Sequence, residues 1–134
     1  MFSYLEKNKN TLVYLPLIVY WIILLIATSI PAQSVPSFGV GDKVNHLLAY
    51  FILSIFLYLT FSFQEKSIVA KRNAVLLTIA ITLLYGVLDE LHQMLIPGRS
   101  AELLDWTADA VGAVCGVLII SFLLKKFKKK AERG

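Results

Sequence analysis

No charged side chain occurs between Asn10 and Gly41, and within that stretch the apolar run from Leu12 to Ile30 is long enough to cross a hydrocarbon core about 30 Å thick. Three similar runs follow, from Val44 to Phe63, from Ala74 to about Leu95 and from about Trp106 to Leu124. The pattern predicts an all-α, polytopic membrane protein: a bundle of four transmembrane helices at about residues 11–30, 44–63, 74–95 and 103–124, one domain over 1–134, with a basic tail at 125–134. Pro16, near the start of the first run, is tolerable in a membrane helix. The lysine-bearing head before that run resembles a signal peptide, but the run is too long and no small-x-small cleavage site follows it cleanly. The span is therefore expected to stay in the mature protein.

Composition supports lipid as the solvent. Of 134 residues, 57% are hydrophobic and only 16% charged, well outside the range of a soluble globular domain. Mean hydropathy is +0.71. Cys115 is the single cysteine, so no internal disulfide can form, and its place in the fourth run suggests a small buried filler. There is no Gly-rich phosphate loop, zinc-finger spacing or low-complexity tract. The basic KKFKKK block directly follows a membrane helix, where it reads as a topological anchor, so no nucleic-acid partner is expected.

Charge then orients the bundle. Lys7, Lys9, Lys66, Lys71, Arg72 and the tail cations Lys125, Lys126, Lys128, Lys129, Lys130 and Arg133 fall on one side, against only Lys43 and Arg99 on the other. By the positive-inside rule both termini belong in the cytoplasm. The acidic residues do the reverse: Glu6, Glu65 and Glu132 lie inside, while Asp42, Asp89, Glu90, Glu102, Asp105 and Asp109 belong to the outer half. The split is about +8 against −4, which the chain's net +4 conceals.

The outer acids are not all at the surface. At about 1.5 Å per residue, a helix starting at Ala74 reaches Asp89 after roughly 22 Å, short of the far edge of a core about 30 Å thick. Similar counting places Asp109, Tyr50 and His46 near the same height. Asp42, His46 and Tyr50 recur every four residues, as do Asp89 with Gln93 and Asp105 with Asp109, so each helix carries one polar stripe. An ionisable group at such depth costs about 3 kcal/mol on insertion scales and normally faces the bundle interior or a wet cavity. Ala108, Gly112 and Gly116 form a small-xxx-small pattern that should draw the fourth span against a neighbour, and Gly86 could serve the third span in a similar way. The first span carries Thr28 and Ser29 near its outer end but no charge, and is assigned to packing.

Plainer roles stand beside each of these. Asp42 has the look of a helix N-cap, and Lys43 could simply snorkel. Ser100 could cap the fourth helix, with Glu102 solvated in its first turn. Pro97 and Gly98 are ordinary turn chemistry, yet they hold Arg99 over the polar layer, where its planar fork suits carboxylate or phosphate. Asp89 and Glu90 project about 100° apart, since a helix makes 3.6 residues per turn, so one is expected to face the site while the other caps or pairs. His46 and His92 lie on different helices without HxxxH or HxxE spacing, which signals a bound divalent cation only weakly; no cofactor and no metal ligand set is predicted, and His92 reads as a structural hydrogen-bonding residue.

Together these residues resemble the VanZ-like family of small bacterial membrane proteins. The matching elements are Asp42, Lys43, His46 and Tyr50 in DKVNHLLAY, then Gly86, Glu90, Gln93, Pro97, Arg99 and Ser100 in GVLDELHQMLIPGRS, then Asp105, Gly112 and Gly116 in DWTADAVGAVCG, spanning about positions 42 to 116. One departure is Asp109, where the family often carries Asn, and it adds a charge to the layer. The resemblance implies a multi-pass protein of the bacterial cytoplasmic (inner) membrane. It also implies a link to lowered susceptibility to teicoplanin-type glycopeptide antibiotics, because founding members have one, but it supplies a setting rather than a reaction.

Three functions are consistent with this reading. In the first, an outward-facing pocket of Asp42, Lys43, Tyr50, Gln93, Arg99, Asp105 and Asp109 binds a membrane lipid, a lipid-linked envelope precursor or a glycopeptide amphiphile lodged beside it. An acidic patch rimmed by arginine suits a zwitterionic or amine-bearing headgroup, or a cation bridging to phosphate. In the second, the chain is a membrane-embedded hydrolase or transferase acting on a lipid-linked phosphate or glycosidic bond, with Glu90 or Asp89 as general base, His46 as its acid/base partner and Arg99 stabilising negative charge. In the third, it is a small transporter working as an oligomer. That reading fits least, because coupling carboxylates usually lie near the midplane.

Overall fold

The computed structural model describes residues 2–31, 34 and 41–131. In chain order the helices are α1 (Phe2–Lys7), a π-helical turn (Asn10–Tyr14), α2 (Leu15–Thr28), α3 (Asp42–Phe63), α4 (Ile68–Arg72), α5 (Ala74–Gln93) and α6 (Leu103–Ala131), with no strand among the described residues. Among the described residues, four stretches are long and apolar enough to span a membrane: Asn10–Thr28, Asp42–Phe63, Ala74–Gln93 and Leu103–Lys130. Most of the loop expected before Asp42, and Glu132 and Arg133 of the tail, lie outside the described residues.

The outward faces identify the solvent. Ile18, Ile22 and Ile26 on α2, Leu84, Leu88 and Leu91 on α5, and Leu118 and Phe122 on α6 are all exposed. Apolar surface this continuous is untenable in water and ordinary against acyl chains. The chain is therefore a multi-pass membrane protein. Cys115 shares this outward face and is exposed rather than the buried filler its position suggested.

The element ends differ from the hydropathy reading for local reasons. In the first span the Leu15 N–H donates to Asn10 O, a π register, just before Pro16 enters the first turn of α2 without an N–H of its own. That span ends at Thr28 rather than Ile30, with the Thr28 and Ser29 hydroxyls folded back on the Leu24 and Leu25 carbonyls at 3.1 and 2.6 Å. α3 starts at Asp42, two residues earlier than expected, with Gly41 at the N-cap. α5 stops at Gln93 because Pro97 and Gly98 turn the chain, Gly98 supplying a left-handed φ of 75°. α6 continues past Leu124 to Ala131, since lysine supports helix and cations favour a helix C-terminus.

Two short helices escaped the hydropathy reading. α1 precedes the first span, and α4 links α3 to α5 after a turn closed by Gln64, whose amide donates to Ser67 O at 2.6 Å while accepting from Ser67 N–H at 2.8 Å. Lys9 pairs with Glu65 at 2.7 Å across this end of the bundle. The neighbouring ammonium holds the exposed Glu65 carboxyl below its ordinary range.

α3 is the central element, and glycine sets its distance from α6. A Cβ on Gly112 would strike the Leu47 carbonyl, and one on Gly116 would strike the Phe51 carbonyl and the Ser54 hydroxyl. The small-xxx-small stripe thus brings α6 backbone to backbone with α3. Val13, Tyr58, Phe63 and Val117 fill the core at the Glu65 end, and Leu17, Leu24, Leu53 and Leu57 fill it below the polar layer.

Candidate functional site

The polar stripes of α3, α5 and α6 meet inside the bundle at the end that carries Arg99. His46, Asp89, Glu90, Gln93, Asp105 and Asp109 are all buried, with Asp109 fully so, and Tyr50 is only 2% exposed. At the centre, His46 Nδ1 lies 3.0 Å from Asp109 Oδ1 and 4.0 Å from Glu90 Oε1. The close α3–α6 approach allowed by Gly112 puts His46 within reach of Asp109. On α5, Gly86 leaves room for the same carboxylate: a Cβ there would meet Asp109 Oδ2 and Trp106 Cδ1, both at 3.1 Å.

Asp89 and Glu90 diverge as their spacing requires. Glu90 Oε2 accepts from the Glu102 backbone N–H at 2.7 Å, while Asp89 turns toward Gln93, whose Nε2 donates to Asp89 Oδ2 at 3.3 Å. Glu102 is also where α6 begins, because its carbonyl accepts from the Asp105 and Trp106 N–H groups. The start of α6 is therefore capped by Glu90 from another helix, not by Ser100. Asp42 is likewise not an N-cap, since Gly41 holds that position; Asp42 is an exposed carboxylate in the first turn of α3.

The two cations of this end both bond to the scaffold. Lys43 does more than snorkel: its Nζ lies 2.9 Å from Glu102 Oε2 and 2.9 Å from the buried Asp105 Oδ1, tying α3 to α6. Glu102 is partly solvated, as expected, but paired. Arg99 donates from Nε to Ile30 O at 2.9 Å, from one terminal nitrogen to Gln93 Oε1 at 3.1 Å and from the other to Ala27 O at 3.4 Å. It thereby binds carbonyls at and just beyond the C-terminal end of α2, where a cation also meets the helix dipole favourably. His92 stands apart from the central cluster, 3.0 Å from the Ser29 hydroxyl.

Two cavities flank the cluster. The first, about 240 Å³, runs between α2, α3 and α5 and is lined by Asp42, Asn45, His46, Tyr50, Asp89 and Arg99 on its polar side and by Leu24, Ala27 and Ile30 on its apolar side. The second, about 410 Å³, lies between α5 and α6 and is lined almost wholly by apolar groups around Glu90 and Glu102, with Val87, Leu91, Leu103 and Trp106 as its walls. Asp89 thus faces one cavity and Glu90 the other. Three buried oxygens at this level have no hydrogen-bond partner among the described residues: Tyr50 Oη, Glu90 Oε1 and Asp109 Oδ2.

Sequence reasoning missed the share of α2 in this site. Its lining residues are apolar, and its carbonyls, which hold Arg99, carry no sequence signal. The only hint was the pair Thr28 and Ser29. Tyr20 donates to Ala49 O at 2.9 Å, and Trp21 packs edge-on against Tyr85 at 5.4 Å, which itself lies 6.0 Å from Tyr50. The first span is thereby fixed as a wall of the cavity as well as a packing element.

Such an arrangement defines a class: a multi-pass helical membrane protein with a buried, carboxylate-rich site toward one end of its bundle. A family model described as VanZ/LLP1 matches residues 5–124, and the chain belongs to that family. No curated protein and no solved structure gives a match.

Proposed function

We propose that this VanZ-family protein lies in the bacterial cytoplasmic membrane with both termini in the cytoplasm, and that its cavity holds the headgroup of an envelope lipid or lipid-linked precursor. The observation that carries this reading is the two-sided lining of the α2–α3–α5 cavity. Leu24, Ala27 and Ile30 offer an apolar wall to acyl or glyceryl carbons, opposite Asp42, His46, Tyr50, Asp89 and Arg99. Asp42 and Asp89 suit an ammonium group, and Arg99, whose longest bond is the 3.4 Å contact to Ala27 O, can turn a nitrogen toward phosphate. A zwitterionic headgroup matches both. Occupying or altering such a lipid at the outer leaflet is the route by which the chain would lower susceptibility to teicoplanin-type glycopeptides, themselves amphiphiles that act beside that leaflet.

Photo-crosslinking tests the reading. A benzophenone amino acid at Ala49, which lines the cavity, should capture phosphatidylethanolamine at least tenfold more efficiently than one at lipid-facing Leu118, and headgroup-free diacylglycerol should not compete. Equal capture at both positions, or full competition by diacylglycerol, would contradict it.

A second reading, acid/base hydrolysis or transfer at a lipid-linked phosphate or glycosidic bond, is favoured by the 3.0 Å contact of His46 with Asp109 beside Glu90. In that case Glu90→Gln abolishes turnover and leaves lipid capture at Ala49 intact. Loss of both together favours binding alone.

A further inference from the structure

We infer that His46, Glu90 and Asp109 form a binding site for one divalent transition-metal ion. One imidazole nitrogen and two carboxylates, from α3, α5 and α6, bring their ligand atoms within 4.8 Å of one another, and all three residues are buried. Tetrahedral ligation with bonds of about 2.0–2.1 Å sets neighbouring ligand atoms roughly 3.3 Å apart. The spacings from His46 Nδ1, 3.0 Å to Asp109 Oδ1 and 4.0 Å to Glu90 Oε1, fall on either side of that figure.

Unused bonding capacity points the same way. Glu90 Oε1 and Asp109 Oδ2 are buried acceptors with no hydrogen-bond partner among the described residues, although buried polar groups are almost always satisfied. The buried Tyr50 hydroxyl also lacks a hydrogen-bond partner among the described residues. The cations nearby do not fill this need: Lys43 serves Glu102 and Asp105, and Arg99 serves Gln93 and the end of α2. Charge balance agrees. A doubly charged ion beside a neutral imidazole neutralises the Glu90 and Asp109 carboxylates together, whereas an imidazolium alone neutralises only one. The mixed nitrogen and oxygen donor set suits zinc or manganese.

A second cluster, Asp42, His46 and Asp105, is comparably tight but weaker as a site, because Asp42 is exposed and Asp105 is already paired with Lys43. The inference does not depend on the lipid reading. It does exclude Glu90 and His46 from acting as an acid/base pair while the ion is bound.

The test uses the full chain purified in detergent, stripped with chelator and titrated with Zn²⁺ or Mn²⁺ by calorimetry, with folding followed by circular dichroism. The expected result is one ion per chain in the wild type, an affinity at least tenfold weaker in Asp109→Asn and in Glu90→Gln, and no change in Asp42→Asn or Glu65→Gln. Should the two ligand variants fail to fold, pulsed electron paramagnetic resonance of the Mn²⁺-loaded wild type should show coupling to one imidazole nitrogen. No stoichiometric uptake, uptake unchanged in folded Asp109→Asn and Glu90→Gln, loss in Asp42→Asn alone, or no nitrogen coupling would each overturn the inference.

Discussion

The Glu90 carboxylate on α5 accepts a hydrogen bond from the Glu102 backbone N–H at 2.7 Å, so the first turn of α6 is capped by a side chain from a different helix. The helix that carries Asp105 and Asp109 is thus positioned by the same residue that faces His46. Glu90→Gln retains an acceptor and should leave stability nearly unchanged, whereas Glu90→Ala should cost about 1–2 kcal/mol, the usual effect of losing a cap. Equilibrium unfolding in mixed micelles checks the difference.

Lys43 bridges a buried and an exposed carboxylate, and the two contacts differ in consequence. Lys43→Met leaves Asp105, 3% exposed, without its cation, while Glu102→Gln removes only a solvated partner. The melting temperature should fall clearly in the first variant and hardly in the second. Adding Asp105→Asn to Lys43→Met should recover part of the loss, because an uncompensated buried charge is worse than a neutral amide.

Gly112 and Gly116 fix the α3–α6 separation on which the His46 to Asp109 contact depends. Gly112→Ala and Gly116→Ala should each cost about 1–3 kcal/mol by overpacking against the Leu47 and Phe51 carbonyls. Gly41→Ala, whose added Cβ would meet no atom of the described residues within 4 Å, should change little. Thermal unfolding in detergent orders the three.

Orientation follows from cysteine labelling in a Cys115→Ser background, tolerable because Cys115 is exposed. Ser100→Cys should react with an impermeant maleimide added to intact cells, and Lys128→Cys only after lysis. The reverse pattern would place the site at the cytoplasmic face.

Much of this architecture could be read from the sequence, and the failures are physical. Run length against hydrocarbon thickness located four spans, and four-residue spacing put Asp42, His46 and Tyr50 on one face of α3. Hydropathy ended α6 at Leu124 because lysine is polar, although lysine continues a helix well. What bridges helices was less legible. The Lys43 bridge depends on how closely α3 approaches α6, and Arg99 binds the carbonyls of Ala27 and Ile30, groups that every residue possesses. Cys115 illustrates the same limit, since burial in a membrane helix depends on which face meets a neighbour.

Native mass spectrometry of the chain released from bacterial membranes tests headgroup binding most directly. The expected spectrum shows one phospholipid adduct per chain in the wild type and in Glu65→Gln, and at least a tenfold smaller adduct fraction in Asp89→Asn combined with Tyr50→Phe. A wild type without a retained lipid, or equal adducts in all three proteins, would contradict it.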